Sequence, residues 1–290
     1  MGGYASIAPT AFELARDITR CSIMKACLQG EDHACASVVR AQWTLVEDEE
    51  SLAARWEKEH HLPEPWVGHI EEAPILFISS NPSVSALRKP QAPRAEHAKP
   101  LEKLAGETGI DHPSLRRPFA APKWEWADEE IVDSYVSAFD VWIENGVRSR
   151  VPVGVERPRP TRYWSVVRKL AAELLGPEVR PGHDYALTEI VHCKSHEEIG
   201  VREARKSCIE RYLSRVLALS AARVLVVLGR KAEDAIRPRL RTPLTESIEI
   251  DGRERRVVFA PHPNARGWRQ TFASADVDVA EVAAWIATRT

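Results

Sequence analysis

Ile75-Leu76-Phe77-Ile78-Ser79-Ser80-Asn81-Pro82-Ser83 decides the fold: four consecutive apolar residues, a strand's length, run straight into a short polar loop. An unbroken apolar run of this length, in place of apolar/polar alternation, is the pattern of a parallel strand covered on both faces. Working outward, three more runs have strand length, at 185–191, at Val224-Leu225-Val226-Val227-Leu228 and at Val257-Val258-Phe259. Helix-like segments at 163–175, 201–219 and 231–236 lie between them, and 277–288 closes the chain. This order predicts an α/β fold, a three-layer sandwich around a central, mostly parallel four-stranded sheet.

In such a sheet, ligands bind beyond the carboxyl ends of the strands. The residues expected there are polar and specific: Ser79 to Ser83 after the first run, Thr188-Glu189 near the end of the second, Gly229 after the third, and Pro261-His262-Pro263-Asn264 after the fourth. A Gly-rich phosphate-cradling loop and a Walker-type lysine loop are both absent from the sequence, which removes support for an unrelated nucleotide-handling enzyme.

These four segments carry a resemblance. The stretch 75–83 is similar to the strand-plus-loop first motif of the uracil-DNA glycosylase superfamily, and His262-Pro263-Asn264 resembles its second motif. Tyr185-Ala186-Leu187-Thr188-Glu189-Ile190-Val191-His192-Cys193 looks like a strand of the superfamily's iron-sulfur families, and Arg223 to Ala232 also has its counterpart. The resemblance covers 73–83 and roughly 161–272 and is thin elsewhere. It implies a DNA glycosylase, a hydrolase that flips one base out of DNA and cuts its bond to the sugar, leaving an abasic site.

Breaking an N-glycosidic bond builds positive charge on the sugar and negative charge on the departing base, so a site must steady both and hold one water. By the resemblance, Asn81 orients that water and His262 donates a hydrogen bond to the leaving base. An amide is no strong base, so Asn81 would position water without deprotonating it. The plainer readings are an Asn-Pro turn for Asn81 and a strand-end cap for His262.

Glu189 departs from the family pattern. Uracil-specific members carry Asn here, an amide that both donates and accepts; a carboxylate accepts only, which suits the amino group of cytosine. The alternative is an ion pair between Glu189 and an arginine at the sheet edge. Ser83 stands where strict uracil enzymes place a bulky Tyr, so a base enlarged at carbon 5 has room. Together Glu189 and Ser83 point to a 5-modified cytosine, such as glucosylated hydroxymethylcytosine of phage DNA, and to antiphage defence. Uracil removal in base excision repair and a non-catalytic module that binds modified DNA are the rivals.

A flipped base stacks on an aromatic ring. Phe119, in Arg117-Pro118-Phe119, is the first candidate, with Phe139 and Trp142 as rivals. Arg266, Trp268 and Arg269 lie where relatives wedge into the duplex and touch phosphates. Arg148, Arg150, Arg157, Arg159 and Arg162 form either a second phosphate-binding strip or a solvated loop. Lys89 and Lys123 leave a Schiff-base lyase activity open.

Cys193 and Cys208 are spaced like the last two ligands of the iron-sulfur families, and thiolates bind iron in sets of four. The resemblance implies a structural [4Fe-4S] cluster held by Cys27, Cys35, Cys193 and Cys208, with Cys21 as an alternative N-terminal ligand. The family's N-terminal Cys-x-x-Cys is absent, and a zinc site using His192, His196 or His33 or no metal at all are the other readings. Five cysteines in all make a disulfide framework unexpected.

At 290 residues, 44% hydrophobic and 28% charged, the chain is expected to be a single domain spanning 1–290. It divides into a helical part over 1–70, with an exposed charged helix near 51–60, and a core over 71–290 interrupted by a Pro-rich insertion at about 84–160. A net charge of -2 and a pI near 6.6 argue against coating of nucleic acid through bulk charge, so DNA contact would rest on a local patch. With no long apolar stretch and no secretory leader pattern, a cytoplasmic monomer is expected, with DNA as partner and no membrane association. The opening Met1-Gly2-Gly3-Tyr4-Ala5-Ser6 fits the permissive myristoylation pattern, and no second membrane signal accompanies it.

Overall fold

A computed structural model describes residues 10–41, 62–82, 127–136, 141–144, 147–150, 162–195, 198–240, 247–250, 252–265 and 270–287. The four anticipated runs form strands β2 (Ile75–Ser79), β5 (Tyr185–Glu189), β6 (Val224–Leu228) and β8 (Arg253–Ala260). They lie side by side in the order β5-β2-β6-β8, every neighbouring pair parallel. Every residue of β2, β5 and β6 is buried, as continuous apolar sequence demands when helices cover both faces.

The sheet has six strands, not four, and is mixed. β1 (Trp66–Val67) pairs antiparallel with β5 at one edge, and β7 (Ser247–Ile250) pairs antiparallel with β8 at the other. β1 is two residues long, too short to show a period. β7 and β8 pair up to Ile250 and Arg253, and between them the sequence reads Asp-Gly, a dipeptide that signals a hairpin; Gly252 has φ 69°. Its strands read as polar because Glu249, Arg253, Glu254 and Arg256 stand on a partly exposed edge.

Alternate side chains of each strand enter different layers. Leu76, Ile78, Ala186, Leu225, Val227 and Val257 pack with the N-terminal helices α1 (Ala11–Thr19), α2 (Ser22–Leu28) and α3 (Ala36–Arg40) and with the helical stretch that begins at Val201. That stretch runs as Val201–Cys208, a π-helical turn Ile209–Leu213, and Ser214–Leu219. Ile75, Phe77, Tyr185, Leu187, Val226, Leu228 and Val258 pack on the other side, with helices Arg162–Leu175 and Val279–Ala287. Burying each such side chain contributes roughly 1.5–3 kcal/mol, which holds the layers together.

Within the insertion, where prolines argue against long elements, the chain still forms a helix at Asp128–Val136 and a two-stranded hairpin of β3 (Val141–Glu144) and β4 (Val147–Arg150). The charged helix expected at 51–60 lies outside the described residues. Among the described residues, no helix is long and apolar enough to cross a membrane.

Candidate active site

Strand register sets the site's frame. Ser79 pairs with Glu189, Ile78 with Val227, and Leu228 with Ala260, so Glu189, Ser79, Leu228 and Ala260 form one row at the carboxyl edge. Asn81 and His262 each stand two residues beyond that row. β2 and β8 are separated only by β6, which at a strand spacing of about 4.8 Å leaves about 10 Å between them, a gap on the scale of one planar base. Glu189 ends β5, the strand next to β2, and shares the sheet face of Leu187 and Tyr185.

Asn81 is half-buried, and its amide is oriented from both ends. Its Nδ2 donates to the Pro82 carbonyl at 2.9 Å, while the Ser80 hydroxyl donates to its Oδ1 at 3.4 Å. The Pro82 carbonyl also accepts the Ser195 N–H at 3.2 Å. Ile190 and Val191 donate to the carbonyls of Ser79 and Ser80, so the pairing of β2 with β5 continues past both strand ends and carries the loop to Asn81.

His262 is half-buried and held on several sides. The Asn264 N–H donates to its Nδ1 at 3.2 Å. Tyr163, on the first turn of helix Arg162–Leu175, lies with its ring centroid 5.8 Å away at 54°. Gly229 forms the floor: a Cβ there would sit 2.8 Å from His262 Cβ. Burial, and then the Lys231 ammonium, lower the His262 pKa below 6.5, so the ring is neutral at pH 7. With Nδ1 accepting, the proton of the neutral ring belongs on Nε2, which makes His262 a neutral donor. The Ala265 N–H closes the turn onto the His262 carbonyl at 2.8 Å, and the Ala265 carbonyl accepts from Arg162 at 3.2 Å.

Glu189 is buried, 6% exposed. Ser83, Phe119, Arg266, Trp268 and Arg269 lie outside the described residues, as do Phe139, Arg157, Arg159, Lys89, Lys123 and His196. Trp142 belongs to β3, and Arg148 and Arg150 to β4.

The five cysteines, scattered over 188 positions of sequence (208 − 21 + 1), are all buried and none is in a disulfide. Cys21, Cys35, Cys193 and Cys208 line one small cavity together with Met24, Val191 and Tyr212. Cys27, named among the expected ligands, is not part of that lining, and Cys21 is. Burial, and then the charge of neighbouring cysteines, raise the Cys35 thiol to about 11; Cys193 is raised well above its ordinary value by the same causes. Burial likewise raises Cys208 to about 12, against the pull of the His192 backbone N–H at its sulfur. Thiolates crowded into an apolar cavity repel one another, and a bound cationic centre relieves that repulsion. Among the described residues, no three His, Cys, Asp or Glu side chains are grouped to hold one metal ion. Four cysteine sulfurs around one cavity are the donor type that an iron-sulfur cluster takes.

Sequence reading missed a second buried polar group. Lys194 Nζ lies 2.6 Å from Glu64 Oε1, with side chains 2% and 4% exposed. His192 Nδ1 is 2.7 Å from the Glu64 carbonyl oxygen, and burial lowers its pKa to about 4. The only sequence signal was a lysine and a histidine flanking Cys193. In the sequence Tyr163 is legible only as the start of a helix. Comparison with known protein families and with curated proteins returns no match.

Proposed function

We propose that the protein is a DNA glycosylase of the uracil-DNA glycosylase superfamily fold that extrudes a base, hydrolyses its bond to the sugar and leaves an abasic site. The observation that carries this reading is a neutral imidazole, His262, with Nδ1 engaged and Nε2–H available, at the same sheet edge as the oriented amide of Asn81. A departing base gathers negative charge on its oxygen, and a fixed neutral donor stabilises that charge without first needing to lose or gain a proton. Asn81 Oδ1 accepts from a water and aims it at the anomeric carbon. The parallel order β5-β2-β6-β8 supports the superfamily fold.

Glu189 reads the base edge and favours the amino group of a cytosine, and small Ser83 leaves space at carbon 5. A 5-modified cytosine, such as the glucosylated hydroxymethylcytosine of phage DNA, is the proposed substrate, and antiphage defence the proposed role. Phe119 stacks on the flipped base, and Arg266, Trp268 and Arg269 grip the duplex. A [4Fe-4S] cluster would be held by Cys21, Cys35, Cys193 and Cys208 and would brace the N-terminal helices against the segment after β5; the chemistry at the base needs no electron from it.

The test is a matched duplex panel carrying uracil, cytosine, 5-hydroxymethylcytosine or its glucoside, incubated with the protein and then cleaved with alkali. Strand breaks confined to the modified cytosines are expected. Breaks at uracil alone would replace this reading with repair, and DNA binding without breaks in any duplex would leave a binding module. With the preferred duplex, N81A is expected to slow base release by about a hundredfold at nearly unchanged DNA affinity.

A further inference from the structure

A buried ion pair is a poor source of stability, because desolvating two charges costs about as much as their attraction returns. Glu64 and Lys194, almost wholly buried and 2.6 Å apart, therefore call for another role. Their surroundings supply one. Glu64 sits in a segment pinned along its length: the Tyr135 hydroxyl donates to the Leu62 carbonyl at 3.2 Å, the Glu64 N–H to the His192 carbonyl at 2.9 Å, and the Thr188 hydroxyl to the Pro65 carbonyl at 2.9 Å. Its carboxylate is thus an anchor of fixed position for the Lys194 ammonium.

What Lys194 positions is its neighbour. The Ser195 N–H donates to the Pro82 carbonyl at 3.2 Å, and the Ser195 hydroxyl donates to the Ile199 carbonyl at 2.6 Å. That same Pro82 carbonyl receives the Asn81 amide at 2.9 Å. A continuous path leads from Glu64 through Lys194, the Ser195 N–H and the Pro82 carbonyl to the Asn81 side chain.

We infer that Glu64 and Lys194 are positioning residues for Asn81: the buried pair locks the 192–195 segment so that the Pro82 carbonyl holds the amide in its water-orienting rotamer. The inference rests on the role given to Asn81 above. The side chains of the pair do not touch the reacting atoms. Their charge supplies direction and rigidity, which a packed hydrocarbon pair would not, since dispersion contacts have no preferred angle.

The test replaces both charges at once, in the full-length protein, with residues of similar volume. E64L/K194M removes the pair without leaving a lone buried charge, so it is expected to fold with a melting temperature within about 5 °C of the parent. Amide hydrogen exchange at Ser195 is expected to accelerate at least about tenfold, and single-turnover base release to slow at least about tenfold with DNA affinity changed less than about twofold. The reversed pair E64K/K194E is expected to recover part of both losses. Unaltered Ser195 protection in a folded E64L/K194M protein overturns the inference, as does unaltered base release where the parent is active. Should the double variant not fold, the reversed pair decides alone: folded, with Ser195 protection and base release no better than those of K194M, it overturns the inference. A parent that releases no base from any duplex defeats the glycosylase reading, while the exchange measurement still decides whether the pair governs the loop.

Discussion

The backbone N–H of Asn264 donates to Nδ1 of His262 at 3.2 Å, so a residue two positions along the chain selects the tautomer of the imidazole. Only the ring nitrogen facing away from that turn is left to donate. Nitrogen-resolved NMR at pH 7 is expected to find Nδ1 bare and Nε2 protonated.

The pH dependence follows from the same ring. Burial and then Lys231 lower its pKa in the fold, whereas the unfolded chain takes up the proton near 6.5. A lowered folded pKa means that the unfolded state binds more protons as pH falls, so this contribution to stability is complete above 6.5 and is lost as pH drops through the folded value. Stability to denaturant between about pH 7.5 and about pH 5.5, roughly one unit either side of the ordinary value, is expected to weaken with acid less steeply in H262Q than in the parent. Base release should fall with acid around a midpoint below 6.5; an inflection at or above 6.5 would contradict the buried, neutral ring.

Gly229 combines φ 81° and ψ 162°, a region open to glycine alone, with a floor position under His262. G229A is expected to cost about 1–3 kcal/mol of stability through backbone strain and to slow base release by about tenfold or more through displacement of the imidazole. Thermal unfolding and single-turnover kinetics separate the two effects. Full activity in this variant would mean that the place of His262 is not critical.

In the proposed role, an ionised Glu189 accepts and does not donate, which calls for a base with an amino group. E189Q introduces an amide that does both, and the ratio of modified-cytosine release to uracil release is expected to fall by about tenfold or more. Competition between two labelled duplexes in one tube measures the ratio directly. An unchanged ratio would return Glu189 to a structural role at the sheet edge.

Cys21, not Cys27, shares the cavity with Cys35, Cys193 and Cys208. Purified without oxygen, the protein is expected to contain iron and to absorb broadly at about 400 nm. C21S and C193S should lose both signals, and C27S should keep them. Loss in C27S with retention in C21S would reverse the assignment.

Much of the sheet was legible from one-dimensional pattern. Runs such as Ile75 to Ile78 and Val224 to Leu228 have the pattern of buried strands, and the helix-like segments between the later runs point to parallel neighbours. Pattern also located the loops where chemistry gathers, because the carboxyl ends of parallel strands follow from chain direction alone. It missed β1, which is two residues long, and β7, whose Ser247-Ile248-Glu249-Ile250 alternates over only four residues on a sheet edge.

Tertiary structure alone decided who meets whom. Register across β5, β2, β6 and β8 put Glu189 level with Ser79 and Ala260, and hence Asn81 level with His262, although 180 positions of chain (262 − 81 − 1) lie between the last two. That Cys21 and not Cys27 lines the cavity depends on how the N-terminal helices pack against the helix that begins at Val201, and the Glu64–Lys194 pair joins segments whose sequence neighbourhoods hold no trace of each other. The reason is physical: hydrophobic periodicity is a local consequence of burial, while contacts between polar groups far apart in sequence exist only after burial has brought the layers together.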